Sequence, residues 1–135
     1  MLSVAPKLSP TYDEDFAGWA WSQAELLRTR RFGELDLPNL IEEVNDLASS
    51  AWNAIESNLV IVLVHLLKWR YQPDQRKGGW QASIREHRRR IRKLTARNPS
   101  LAPHLFDAVY EQYELSRIQA ANETGIAYEL LPDQC

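Results

Sequence analysis

The sequence predicts an all-α protein, an up-and-down four-helix bundle with one long second helix. Three observations carry that expectation. Apolar residues recur at spacings of three and four in four successive segments, turn-forming residues separate those segments, and no stretch alternates apolar and polar residues as a half-buried strand does. The clearest seam is Leu37, Ile41, Val44, Ala48, Ala51, Ile55, Asn58, Val62, His65 and Trp69, whose spacing alternates four and three without a slip. All of these side chains fall on one face of a helix about ten turns long, as in a coiled coil.

Residues 1–10 read as an N-terminal arm with two prolines. Helix one is expected from near Thr11, where Thr11 and Glu14 have capping-box spacing and Asp13 and Asp15 suit the first-turn dipole. Its stripe is Tyr12, Phe16, Trp19, Gln23 and Leu26, and Gly33 marks its stop. Asp36 reads as the N-cap of helix two, with Pro38 in a first turn where a missing N–H does no harm. No breaker intervenes before Pro73, so one long helix is expected, with Ser49 and Ser50 the only place for a break. Helix three runs from about Trp80 to Arg97 on the stripe Trp80, Ile84, His87, Ile91 and Leu94, and Asn98-Pro99 stops it. Helix four covers about Leu101 to Thr124, with a kink or short separate turn at Pro103 and Gly125 as C′ residue. Residues 126–135 read as an extended tail, which leaves 11–125 as a single helical domain.

A chain of 135 residues, 44% hydrophobic and 25% charged, can bury a core without metal or disulfide staples and is not disordered by composition. The longest apolar stretch, Leu59 to Leu67, is interrupted by His65 and falls short of the roughly 20 residues that span a bilayer, so no membrane partner is expected. The first ten residues lack the features of a secretory signal, and the lone Cys135 fits a reducing compartment; the expectation is a cytoplasmic protein. Net charge is −2, but Lys68 to Arg97 holds 11 of the 16 lysines and arginines and only two acids. That segment serves either a polyanion or acidic neighbours in the same bundle, for which Asp107, Glu111 and Glu114 of helix four are at hand.

Several segments together resemble a known family. They are Tyr12-Asp13-Glu14-Asp15-Phe16 with Trp19, Arg31-Phe32-Gly33-Glu34-Leu35-Asp36, Asn39-Leu40-Ile41-Glu42-Glu43-Val44, His65-Leu66-Leu67-Lys68-Trp69, Tyr71-Gln72-Pro73, and Trp80 before Ile84. From about Tyr12 to Cys135 the chain is similar to the bacterial domain-of-unknown-function family 29. The resemblance implies an all-helical fold and carries no established activity.

Three groups of residues are candidates for function. In a hairpin of helices two and three closing near residues 73–79, His65 and His87 could meet in the interior beside Glu86, with Asn58 a further polar group on the seam. Two imidazoles and a carboxylate would suit a metal or acid–base chemistry; equally, each histidine could satisfy one buried hydrogen bond. Arg85, Arg88, Arg89, Arg92 and Lys93, with Arg90 and Arg97, surround helix three except on its stripe, a surface for carboxylate or phosphate. Trp21 and Trp52 lie off the stripes and are candidates for an interface, or are covered within the bundle. Glu42 and Glu43 are expected to pair with Arg28, Arg30 or Arg31 across the first turn.

No nucleophile elbow, phosphate loop, dinucleotide fingerprint, calcium loop or zinc-protease motif is present, so no cofactor is expected. The leading expectation is a helical protein–protein interaction module whose partner is a second copy or another protein. The alternatives are nucleic-acid binding through helix three and a metal-dependent enzyme or sensor using His65 and His87.

Overall fold

The computed structural model describes residues 10–135. It is all-α, with α1 Phe16–Arg28, α2 Leu37–Tyr71, α3 Gly78–Arg97 and α4 Leu105–Thr124, and no strand among the described residues. The arm expected over residues 1–10 lies outside the described residues apart from Pro10. Packing divides the chain into two compact units, one ending at Leu47 and the other running from Ala48 to Cys135.

In the first unit the Thr11–Glu14 capping box forms: the Thr11 N–H donates to Glu14 Oε1 at 3.1 Å, and the Glu14 N–H to Thr11 Oγ1 at 3.3 Å. It closes a turn that precedes the helix, however, and α1 starts at Phe16, later than expected. The second acid wins the cap, because the Asp15 carboxylate accepts the Gly18 N–H at 3.0 Å. Trp19 and Gln23 are the buried residues of α1. Both converge on the start of α2, the Trp19 indole N–H on the Asp36 carboxylate at 2.9 Å and the Gln23 side-chain oxygen accepting the Asp36 N–H at 2.8 Å. Asp36 also accepts from Asn39, and that bond first, with the Trp19 bond, holds its carboxyl below the usual range. Tyr12, Phe16 and Trp19 pack as three rings with centroids 4.9–5.7 Å apart.

The second unit holds two buried clusters. Ile55, Leu59, Val62, Ile91 and Ala108 form one, with Trp52, Ile84 and Leu105 against it. Val60, Val64, Leu67, Tyr113, Ala120, Ala121 and Leu131 form the other. α2 runs unbroken through Ser49 and Ser50, and Pro73 follows its end. Its length and composition would also suit a membrane span, and seven of its residues from Ile55 to Leu67 are buried in protein. Pro99–His104 is a 3-10 segment of its own, so α4 begins at Leu105 and not at Leu101. Gly125 ends α4 at φ +75°, where its missing Cβ removes the strain of the left-handed region.

The C-terminal segment is not an extended tail. It makes a 3-10 turn at Tyr128–Leu130 and buries Leu131, and Pro132 accepts the Tyr113 hydroxyl at 2.7 Å. Burial also raises the Tyr113 pKa. Arg117 of α4 fixes the turn, donating to the Tyr128 hydroxyl at 2.9 Å and to its carbonyl at 3.3 Å, with the guanidinium 3.8 Å from the ring centroid.

Candidate functional site

Each side chain of the expected polar core site makes a local bond. His65 Nδ1 lies 2.7 Å from the Ile61 carbonyl and His87 Nδ1 lies 2.8 Å from that of Ser83, so each ring donates to its own helix one turn back. Asn58 likewise donates to the Ala54 carbonyl at 2.7 Å, and its buried Oδ1 is left without a partner. Glu86 faces Arg89 and Arg90 at 2.8–3.0 Å, away from the role of third ligand. Among the described residues no three His, Cys, Asp or Glu side chains group as metal ligands. The helix backbone explains this outcome: a half-buried imidazole with a carbonyl four residues earlier needs no second helix to satisfy one nitrogen.

The basic surface of α3 is split by that one acid. The bonds from Arg89 and then Arg90 pull the Glu86 carboxyl down to about 2, so one negative charge is shared between two arginines and offsets half of theirs. Because the folded-state pKa is lowered, the stabilisation is complete above the ordinary carboxylate value of 4.5 and is lost as pH falls toward 2. An NMR titration of the Glu86 side chain is expected to show a midpoint near 2, which returns to the ordinary range in the double variant Arg89→Gln, Arg90→Gln. A midpoint already near 4.5 in the parent would remove the pair.

Arg85, Arg88 and Arg92 have no carboxylate within 4 Å among the described residues; nor does Lys93. The acids expected to answer them do not: Glu114 binds Tyr128 and approaches Arg117, while Asp107 and Glu111 border a separate depression beside Trp52. The three arginines instead line a groove of about 430 Å³ between α2 and α3, together with Gln81, Leu66, Trp69 and Ile84. Arg76 covers part of Trp69, its guanidinium 4.7 Å from the ring and its Nε donating to the Trp69 carbonyl at 2.8 Å. An apolar floor beside three unpaired guanidinium groups can take a ligand that is apolar on one side and anionic on the other.

The first unit carries a second surface that spacing alone did not reveal. Trp21 is 76% exposed and Leu47 75%, and Phe32, Leu37, Ile41 and Val44 are also more than half exposed. The N-terminal part of the seam is therefore open, while Ile55 on the same stripe is fully buried. Trp21 keeps its place as a candidate interface residue. Trp52 does not stand free, being half-buried against the Ile55 cluster and edge-on to His104. Glu43 turns to the Tyr12 hydroxyl at 2.5 Å and not to an arginine; Arg28 pairs with Glu25 and Arg31 with Glu34 on their own turns, and Arg30 has no carboxylate within 4 Å among the described residues. The bond to Glu43 is the main cause that pushes the Tyr12 hydroxyl up to about 12.

Comparison with curated proteins and with solved structures returns no match. A family pattern does match, over residues 11–135, and nearly every element described above falls inside it. The chain belongs to the family described as Domain of unknown function DUF29.

Proposed function

We propose that this chain is a helical protein–protein interaction module whose docking surface is the open apolar face of its first unit. The observation that carries the reading is the concentration of large exposed apolar side chains there, from Trp21 and Phe32 through Leu37, Ile41 and Val44 to Leu47. Scattered exposed apolar residues are ordinary, whereas Leu37, Ile41 and Val44 follow one another at helical spacing on one stripe, the pattern of an anchor face for another helix or groove. Nucleic-acid binding through α3 is the second reading: Glu86 answers Arg89 and Arg90, while Arg85, Arg88, Arg92 and Lys93 have no carboxylate within 4 Å among the described residues.

Site-specific photo-crosslinking in cells that make the protein tests this reading. A benzophenone side chain at Leu47 is expected to give one dominant adduct with a polypeptide, and the same group at exposed Glu129 none. Equal, diffuse labelling at both positions would overturn the reading. A nuclease-sensitive adduct from Gln81, at the groove, would favour the nucleic-acid alternative instead.

A further inference from the structure

We infer that the α2–α3 groove is a second docking site, which takes an acidic amphipathic helix of a partner protein: aliphatic side chains on the groove floor, carboxylates on its arginines. The groove lies wholly within the second compact unit and shares no residue with the open stripe of the first.

The chemistry of the groove selects this ligand. At about 100° per residue, Gln81, Arg85, Arg88 and Arg92 fall within about 60° of one another round α3 and form a single row. The three guanidinium groups have no carboxylate within 4 Å among the described residues, and at spacings of three and four they repel one another. Beside the row, Ile84 and the 45% exposed Leu66 supply apolar surface. From Arg85 to Arg92 the row rises about 10 Å along the helix axis. A ligand with one anionic head meets only part of that length. Carboxylates spaced by three and four residues on a facing helix rise at the same rate as the arginines, and each can be held by two parallel bonds. The apolar stripe of such a helix then lies on Leu66 and Ile84, the arrangement of a helix seated in a groove.

A nucleic-acid strand suits the groove less well. Its phosphates would meet the arginines but gain nothing from Leu66 and Ile84. A base seeking a stacking partner finds Trp69 already carrying Arg76, whose guanidinium lies 4.7 Å from the ring centroid.

Fluorescence anisotropy of the full chain with a synthetic peptide is the test. The probe is a fluorescein-labelled, side-chain-stapled helical peptide with leucines at alternating spacings of three and four and glutamates flanking that row. The parent is expected to bind it with a dissociation constant that rises with salt. Arg85→Gln with Arg88→Gln should weaken binding at least about thirtyfold, by loss of two charge-assisted contacts. Leu66→Ser should weaken it about tenfold, and a peptide of the same composition with its leucines scattered round the helix should bind at least about tenfold more weakly. Arg89→Gln with Arg90→Gln, outside the groove, should stay within about threefold of the parent. No binding by the parent overturns the inference, as does equal affinity for the scattered peptide or an unchanged affinity in the Arg85, Arg88 variant. A probe lost with Leu47→Ser and kept by the groove variants sits on the open stripe, which overturns the groove assignment and leaves the first docking surface standing. An oligothymidylate strand that binds more tightly than the probe, and is lost with Arg85→Gln and Arg88→Gln, gives the groove to nucleic acid and overturns the inference as well. All substituted positions are exposed, and circular dichroism checks that each variant is folded. A misfolded double variant is replaced by Arg88→Gln alone, expected to weaken binding about fivefold and to overturn the inference if it does not.

Discussion

Replacing Ile55 by alanine is expected to lower the unfolding free energy by about 3 kcal/mol, the deletion of buried methyl groups costing both transfer energy and the cavity left behind. Ile55 is fully buried, among Leu59, Val62, Ile91 and Ala108, and helices α2, α3 and α4 all contribute to that cluster. Relaxation has little room, because Trp52, Ile84, Leu94 and Leu101 close the periphery. A loss of this size is a large share of the 5–15 kcal/mol typical of a domain. Ile41 is the informative comparison. It lies on the same stripe, two positions of the pattern from Ala48, yet is 58% exposed. In dilute protein, Ile41→Ala should change stability by no more than about 0.5 kcal/mol. Urea unfolding of both variants decides the matter, and equal losses would mean that the whole stripe is core.

The second large effect is expected at Arg117. Its side chain is only 9% exposed, and it holds the C-terminal turn by two hydrogen bonds to Tyr128 and by stacking over that ring. Arg117→Ala should cost about 3 kcal/mol, the scale of lost charge-assisted bonds plus a cation–π contact. The effect should also have a location. With the turn released, Leu131 leaves the cluster it shares with Val64 and Tyr113, and the Tyr113 hydroxyl loses the Pro132 carbonyl. Carboxypeptidase should then digest past Leu131 at least about tenfold faster than in the parent. A destabilised variant with an unchanged digestion rate would place the role of Arg117 elsewhere.

Periodicity made the four helices legible, and local stop signals placed most of their ends. Pro73, Asn98-Pro99 and Gly125 act within one or two residues of where they stand, so a linear reading finds them. The start of α1 was harder, because Thr11 and Asp15 both have capping chemistry and only the competition between them decides. The seam from Leu37 to Trp69 shows a different limit. Spacing states which side chains share a face and says nothing of whether another element covers it; here the cover extends over Ile55 and Val62 but not over Ile41. The local bonds of the polar candidates were not legible for a related reason. His65 and His87 were paired by their distance from the turn, while the carbonyls that take their protons are four residues away on their own helices. The division of the arginines by Glu86 was readable at spacings of three and four, yet which arginines would stay unpaired depended on the absence of answering acids from α4.

The sharing of α2 between two compact units bears on how the protein unfolds. A helix cut short exposes four N–H groups, a cost that normally ties the two halves of a long helix into one cooperative event. Ser49 and Ser50 stand two and three residues beyond Leu47, where the first unit ends, and serine is a preferred residue for the first position of a truncated helix. If the first unit melts, α2 has a ready new beginning there, and the clusters built on Ile55 and Val64 keep their helix. Hydrogen exchange is accordingly expected to be faster in α1 and in Leu37–Leu47 than in the part of α2 that follows Ser50.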